Sequence, residues 1–145
     1  MKRQKFVKMM GAALVAVVLI CACKKENIYP TIELEAPEDG TEFFAGYDVH
    51  FVAELADSLG LKSYTITITA KAGETNLGAG AVPYSYEKSW DLYELKEVML
   101  HHHEIIIPAN AATGNYVFTI ACTNMANKQS KVSRGIQIIA LPNFE

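Results

Sequence analysis

Cysteine is scarce in this chain, which has only Cys21, Cys23 and Cys122. Only Cys122 lies beyond the first 23 residues, so the body of the protein cannot form an internal disulfide. Its core has to hold it together unaided. Basic charge is short as well. Residues 23–145 carry nine Lys and Arg against 16 Asp and Glu, a net charge near −7. Nucleic acid, which calls for a basic face, is therefore not an expected partner. Gly-x-Ser-x-Gly, a glycine-rich phosphate loop and Cys-x-x-Cys are all missing. Without them no catalytic residue is assigned, no cofactor is expected and the chain reads as a non-enzyme.

Long hydrophobic runs are limited to one, from Met9 to Ile20, shorter than the roughly 20 residues of a membrane span. The basic residues Lys2, Arg3, Lys5 and Lys8 precede it without an acid, the pattern of a secretory signal. Its end, Ile20-Cys21-Ala22-Cys23, resembles a bacterial lipobox, with an aliphatic residue and a small residue before the acceptor cysteine. Cys23 fits that pattern, whereas Cys21 would put bulky Ile20 in the small position. The competing reading is an uncleaved anchor helix in which both cysteines are apolar filler. Acyl chains on Cys23 would bind a membrane with about 0.8 kcal/mol per buried CH₂. The expectation is a signal peptide over 1–22, a lipidated tether over 23–30 and one domain over 31–145. Such a protein is membrane-bound through the lipid on Cys23, at the bacterial cell envelope. The outer membrane is the expected site, on its periplasmic face or the cell surface. Lys24-Lys25-Glu26-Asn27 is only weakly like a surface-export tag.

Residues 31–145 alternate apolar and polar with period two, bounded by turn residues. Strands are expected over Thr31–Ala36, around Val49–Leu55 (entered from Glu42–Gly46), and over Leu61–Ala70. A flexible loop is expected over 71–83, followed by a strand from Tyr84 to Trp90. Ser89–Met99 reads equally as strand or short helix. Further strands are expected over Leu100–Ile107, Tyr116–Cys122 and Val132–Leu141. His50 and Glu54 take the outward parity of their strand. About seven strands without a convincing helix predict an all-β fold, a single immunoglobulin-like antiparallel β-sandwich.

Thr113-Gly114-Asn115-Tyr116 opens the sixth expected strand, where such sandwiches often place a corner tyrosine whose phenol bonds backbone upstream. Cys122, on the inward parity, reads as a small buried hydrophobe rather than a reactive thiol. The chain resembles a family of Bacteroidetes lipoproteins, domain of unknown function 4625. The matching stretches are Val49-His50-Phe51, Asp57–Tyr64, Ile105–Pro108 and Ala112–Tyr116. The resemblance implies an immunoglobulin-like sandwich on a lipoprotein and brings no established activity. Asn124 and Asn127 stand where relatives tend to carry an acid and a glycine, which argues against a calcium-type loop there.

The sharpest chemistry is His101-His102-His103-Glu104. On a strand His101 and His103 share one face and can chelate a transition metal at i and i+2. Two ligands fall short of a closed zinc site. His50 is the one other histidine, with a parity expected to differ from theirs, and Asp91, Glu94 and Glu97 are the remaining candidates. The plainer reading has the histidines covering one end of the sandwich, and a pH-responsive patch is a third. Tyr84, Tyr86, Trp90 and Tyr93 form a second candidate set, able to stack on a sugar or a partner surface. Inward packing of the first three competes with it. The leading functional expectation is a non-catalytic binding or interaction module with an envelope protein or glycan as partner. A metal-binding lipoprotein is the alternative, and an enzyme a distant third.

Overall fold

The computed structural model describes residues 28–142. The expected signal peptide, and Cys23 as the expected lipid acceptor, lie outside the described residues. Eight strands follow one another: β1 Thr31–Ala36, β2 Thr41–Phe44, β3 Asp48–Ala56 and β4 Leu61–Asn76, then β5 Ser85–Asp91, β6 Glu97–Ile106, β7 Thr113–Asn124 and β8 Gln129–Ile139. They make two sheets, β1-β3-β6 and β2-β8-β7-β4-β5. Every pair is antiparallel except β2 and β8, which run parallel with Thr41 opposite Ile136.

The alternation read in the sequence builds the core. Val49, Phe51, Ala53 and Leu55 of β3 are buried, and face Tyr64, Ile66 and Ile68 of β4 and Tyr116, Phe118, Ile120 and Cys122 of β7. Fully burying one such side chain contributes roughly 1.5–3 kcal/mol, enough in sum to replace a disulfide. Cys122 is a free thiol within this core. Threonine and serine take the opposite faces, as in the Thr65–Ser89 and Thr119–Ser133 hydroxyl pairs at 2.6 and 2.8 Å. The corner forms as the sequence suggests. Tyr116 donates its hydroxyl to the Ala112 carbonyl at 2.6 Å and accepts the Tyr84 N–H at 3.2 Å.

Two expectations need correction, and one strand is added. Residues 71–76 are not loop, because β4 runs on to Asn76 and pairs Thr75 and Asn76 with Gly114 and Thr113. Ser89–Met99 is neither helix nor one strand. β5 ends at Asp91 and β6 begins at Glu97, with Tyr93 and Glu94 at φ 49° and 65° making the bend between them. The eighth strand is β2, whose parallel partner lies far along the chain.

Candidate functional site

Strands β3 and β6 place the histidines. On β6 the buried or half-buried positions are Val98, Leu100 and His102, then Ile105. The inward parity therefore changes from even to odd within the strand. The pairing register shifts at that point: Phe51 opposes His102 and Val49 opposes Ile105, so His50 faces both His103 and Glu104. One extra residue has been inserted, a β-bulge. Counting backwards from Ile105 would turn His101 and His103 inward; the bulge turns them outward instead. His50 is thus on the same face as both, and the expected difference in parity is overturned.

The result is a group of three rings on the outer face of the three-stranded sheet. One ring nitrogen from each of His50, His101 and His103 lies within 4.8 Å of the others. The Nε2 atoms of His50 and His101 are 2.9 Å apart. The His50 ring stacks on His103 with centroids at 4.5 Å and planes 11° apart. Asp48, two residues before His50 and so on its face, accepts a hydrogen bond from His103 Nδ1 at 2.6 Å. That hydrogen bond holds the Asp48 carboxyl below its ordinary pKa of 3.8. Desolvation first, and then the neighbouring His103 and His101, hold His50 below 6.5, so the neutral ring is favoured. Asp91, Glu94 and Glu97 do not join the group. Two surface clefts among the described residues, of 440 and 330 Å³, lie elsewhere, beside Gly114 and beside Tyr84.

His102 plays a different part. Its ring stacks on Phe51 at 5.0 Å, and its Nε2 lies 3.0 Å from the Tyr64 hydroxyl. Tyr64 stacks in turn on Trp90 at 4.8 Å, and Lys88 lies 4.8 Å from the centroid of that indole. This row closes the side of the sandwich between β6 and β5. Of the aromatic candidates, Tyr84 is buried, Tyr86 and Trp90 are half-buried against the core, and Tyr93 is 85% exposed in the β5–β6 turn. They do not gather on one surface.

The sequence model of a family described as a domain of unknown function, DUF4625, matches residues 21–139. The chain belongs to that family. No curated protein matches it. Among solved structures it is similar to the fibronectin(III)-like modules of Clostridium thermocellum CbhA, at 10% identity. That similarity covers 79% of this chain and 100% of the other, with a TM-score of 0.46.

In this DUF4625 domain the stretches that carried the resemblance are fold positions: the start of β3, the turn into β4, the end of β6 and the tyrosine corner. The sequence reading gave neither of two side chains, Asp48 and Asn124, the hydrogen-bonding part it plays. Asp48 is legible in hindsight as the i−2 neighbour of His50. The other is Asn124, buried at the end of β7, and its signal is only the Asn124-Met125-Ala126-Asn127 turn. Its amide donates to the Ile28 carbonyl and to Asp57 Oδ2, both at 3.0 Å. Its Oδ1 accepts from the Ala126 and Lys128 N–H groups. Asp57 in turn caps its own turn by accepting the Leu59 N–H at 2.8 Å.

Proposed function

We propose that this protein is a non-catalytic interaction module of the bacterial envelope, held to a membrane by lipid on Cys23. Its partner is an envelope protein that meets the end of the sandwich where the chain enters. The observation that carries this reading is a set of exposed apolar side chains drawn from three separate loops. Leu59, Tyr93, Leu95 and Met125 are 56%, 85%, 48% and 41% exposed. Backbone bonds bring their loops together: Met125 N–H to the Gly60 carbonyl at 2.9 Å, Leu61 N–H to Leu95 at 2.7 Å, and Glu94 N–H to Leu61 at 3.1 Å. Large exposed apolar groups gathered in one place favour a protein contact, and tyrosine and methionine are enriched in such contacts.

The tether supports the same placement. Asn124 fixes Ile28 and the Ser130 hydroxyl fixes Pro30 at 2.6 Å, both at this end. Cys23 is five residues before Ile28, so full extension carries it at most about 18 Å away. The loop end then stands close to the membrane, within reach of a membrane-embedded partner. A net charge near −7 works against adsorption on anionic lipid itself. A glycan platform has less support, because only Tyr93 of the four aromatics is freely exposed.

Two measurements test this. Cys23→Ala should lose incorporation of a palmitate analogue and leave the membrane fraction. A photo-crosslinking residue at Tyr93 should form one discrete protein adduct in cells, removed by Leu59→Asp or Met125→Asp. Adducts to lipid alone, or an adduct indifferent to those charges, would overturn the protein-partner reading.

A further inference from the structure

The outer face of β3 and β6 is remote from the loop end and carries chemistry that a contact module does not need. We propose that His50, His101 and His103 form a binding site for a divalent late transition metal, with Asp48 as its supporting carboxylate and one coordination position open to solvent.

The geometry argues for it in steps. The Nε2 atoms of His50 and His101 approach to 2.9 Å with rings tilted by 57°, so both point at a common region. In the metal-free pair one of them must carry a proton that the other accepts. A metal ion replaces that proton and uses both lone pairs. Around a tetrahedral ion with metal–nitrogen bonds of about 2.0–2.1 Å, two ligand nitrogens lie about 3.3 Å apart. The observed pair is within a few tenths of an ångström of that spacing. The widest separation in the group, no more than 4.8 Å, exceeds that spacing, and His103, stacked within 11° of parallel on His50, has to turn its exposed ring to bring its nitrogen to the same ion.

Asp48 completes the arrangement. By accepting the Nδ1–H of His103 it fixes the tautomer and leaves the Nε2 lone pair available. A carboxylate behind a ligating histidine orients the ring and raises its basicity. The ordinary alternative for clustered histidines, a solvated patch, does not require that pairing. Nor does it account for a bulge that turns His101 and His103 to the side of His50. Bulges re-aim side chains, and this one assembles three imidazoles. Imidazole selects zinc, copper or nickel over magnesium or calcium, which prefer oxygen ligands. Three protein ligands with an open fourth position suit a bound water, or a donor group from a partner.

The test uses the full chain in detergent, purified without a histidine tag and freed of metal with a chelator. Titration with zinc, copper and nickel, followed by calorimetry and thermal unfolding, should give one ion per chain and a raised Tm. Magnesium and calcium should give neither. Asp48→Asn should weaken binding about 10–100-fold, and His50→Ala, His101→Ala and His103→Ala by more than that. These side chains lie on the outer face, so the variants should unfold without metal at the Tm of the parent chain. A copper-loaded sample should show nitrogen hyperfine structure in its electron paramagnetic resonance spectrum, lost in His50→Ala. Affinity unchanged in His50→Ala, or no ion bound at micromolar concentrations, would overturn the proposal. Neither result would touch the loop-end reading, which depends on other residues.

Discussion

Asn124 does more hydrogen bonding than any other side chain described at the loop end. Its amide spans the entering chain and Asp57, and its carbonyl oxygen closes the β7–β8 hairpin. Asn124→Ala strips the Asp57 carboxylate of a partner where it is only 8% exposed. Hydrogen bonds to charged groups contribute about 1.5–3 kcal/mol, so urea unfolding should show a loss of about 2–3 kcal/mol. Cys122 gives a second expectation at this scale. Burial raises its thiol from 9.0 to about 12. It should resist thiol reagents at pH 8 and react at once in denaturant. Burial likewise lifts the Tyr84 phenol from 10.0 to about 12. Both groups keep their protons in the folded state after the unfolded chain has lost them. Their contribution is therefore complete below pH 9 and is lost as pH rises from 9 to 12. Stability measured over that range should fall by a few kcal/mol.

Among the elements, β7 depends most sharply on one position. Gly114 has φ 137°, and a Cβ there would come within 2.7 Å of the Thr75 Cα and still closer to the Glu74 carbonyl oxygen. That close approach lets the tail of β4 pair with the start of β7. Gly114→Ala should cost about 2–4 kcal/mol, at the upper end for a single substitution, read as a lowered urea midpoint. The same scale shows what can be read from sequence. Thr31–Ala36 and Asp48–Ala56 alternate cleanly because one face turns to the core and the other toward solvent, whereas Tyr116–Cys122 alternates only as far as Ile120, after which Ala121 is buried as well. The tyrosine corner was legible because a glycine and a phenol must stand two residues apart to make it. The bulge in β6 was not, since an inserted residue leaves no mark in composition and the parity on either side looks regular. So the sequence pairs His101 and His103 on one face and puts His50 on the outward one, and the bulge turns the pair outward to join it. β2 was hidden for another reason. Four residues cannot declare a partner that lies at Ile136–Ile139.

At the scale of the molecule, one continuous core joins both sheets, from Phe43 in β2 to Ile138 in β8. A core without a seam should unfold in a single step. Trp90 fluorescence and far-ultraviolet circular dichroism should trace the same urea transition. Divergent midpoints would mean that the β5 edge, where Trp90 stacks on Tyr64, melts separately. The parallel ladder between β2 and β8 has a further consequence, in the making of the protein. β8 is the last of the eight described strands to be synthesised, and it sits between β2 and β7. Until Gln129–Ile139 has emerged, β7 presents a long bare edge and β2 has no ladder to join. Such an edge recruits strands from other chains. A nascent chain of this protein must therefore stay guarded until Gln129–Ile139 has emerged, and a chain arrested before Gln129 is a seed for aggregation rather than a shorter domain.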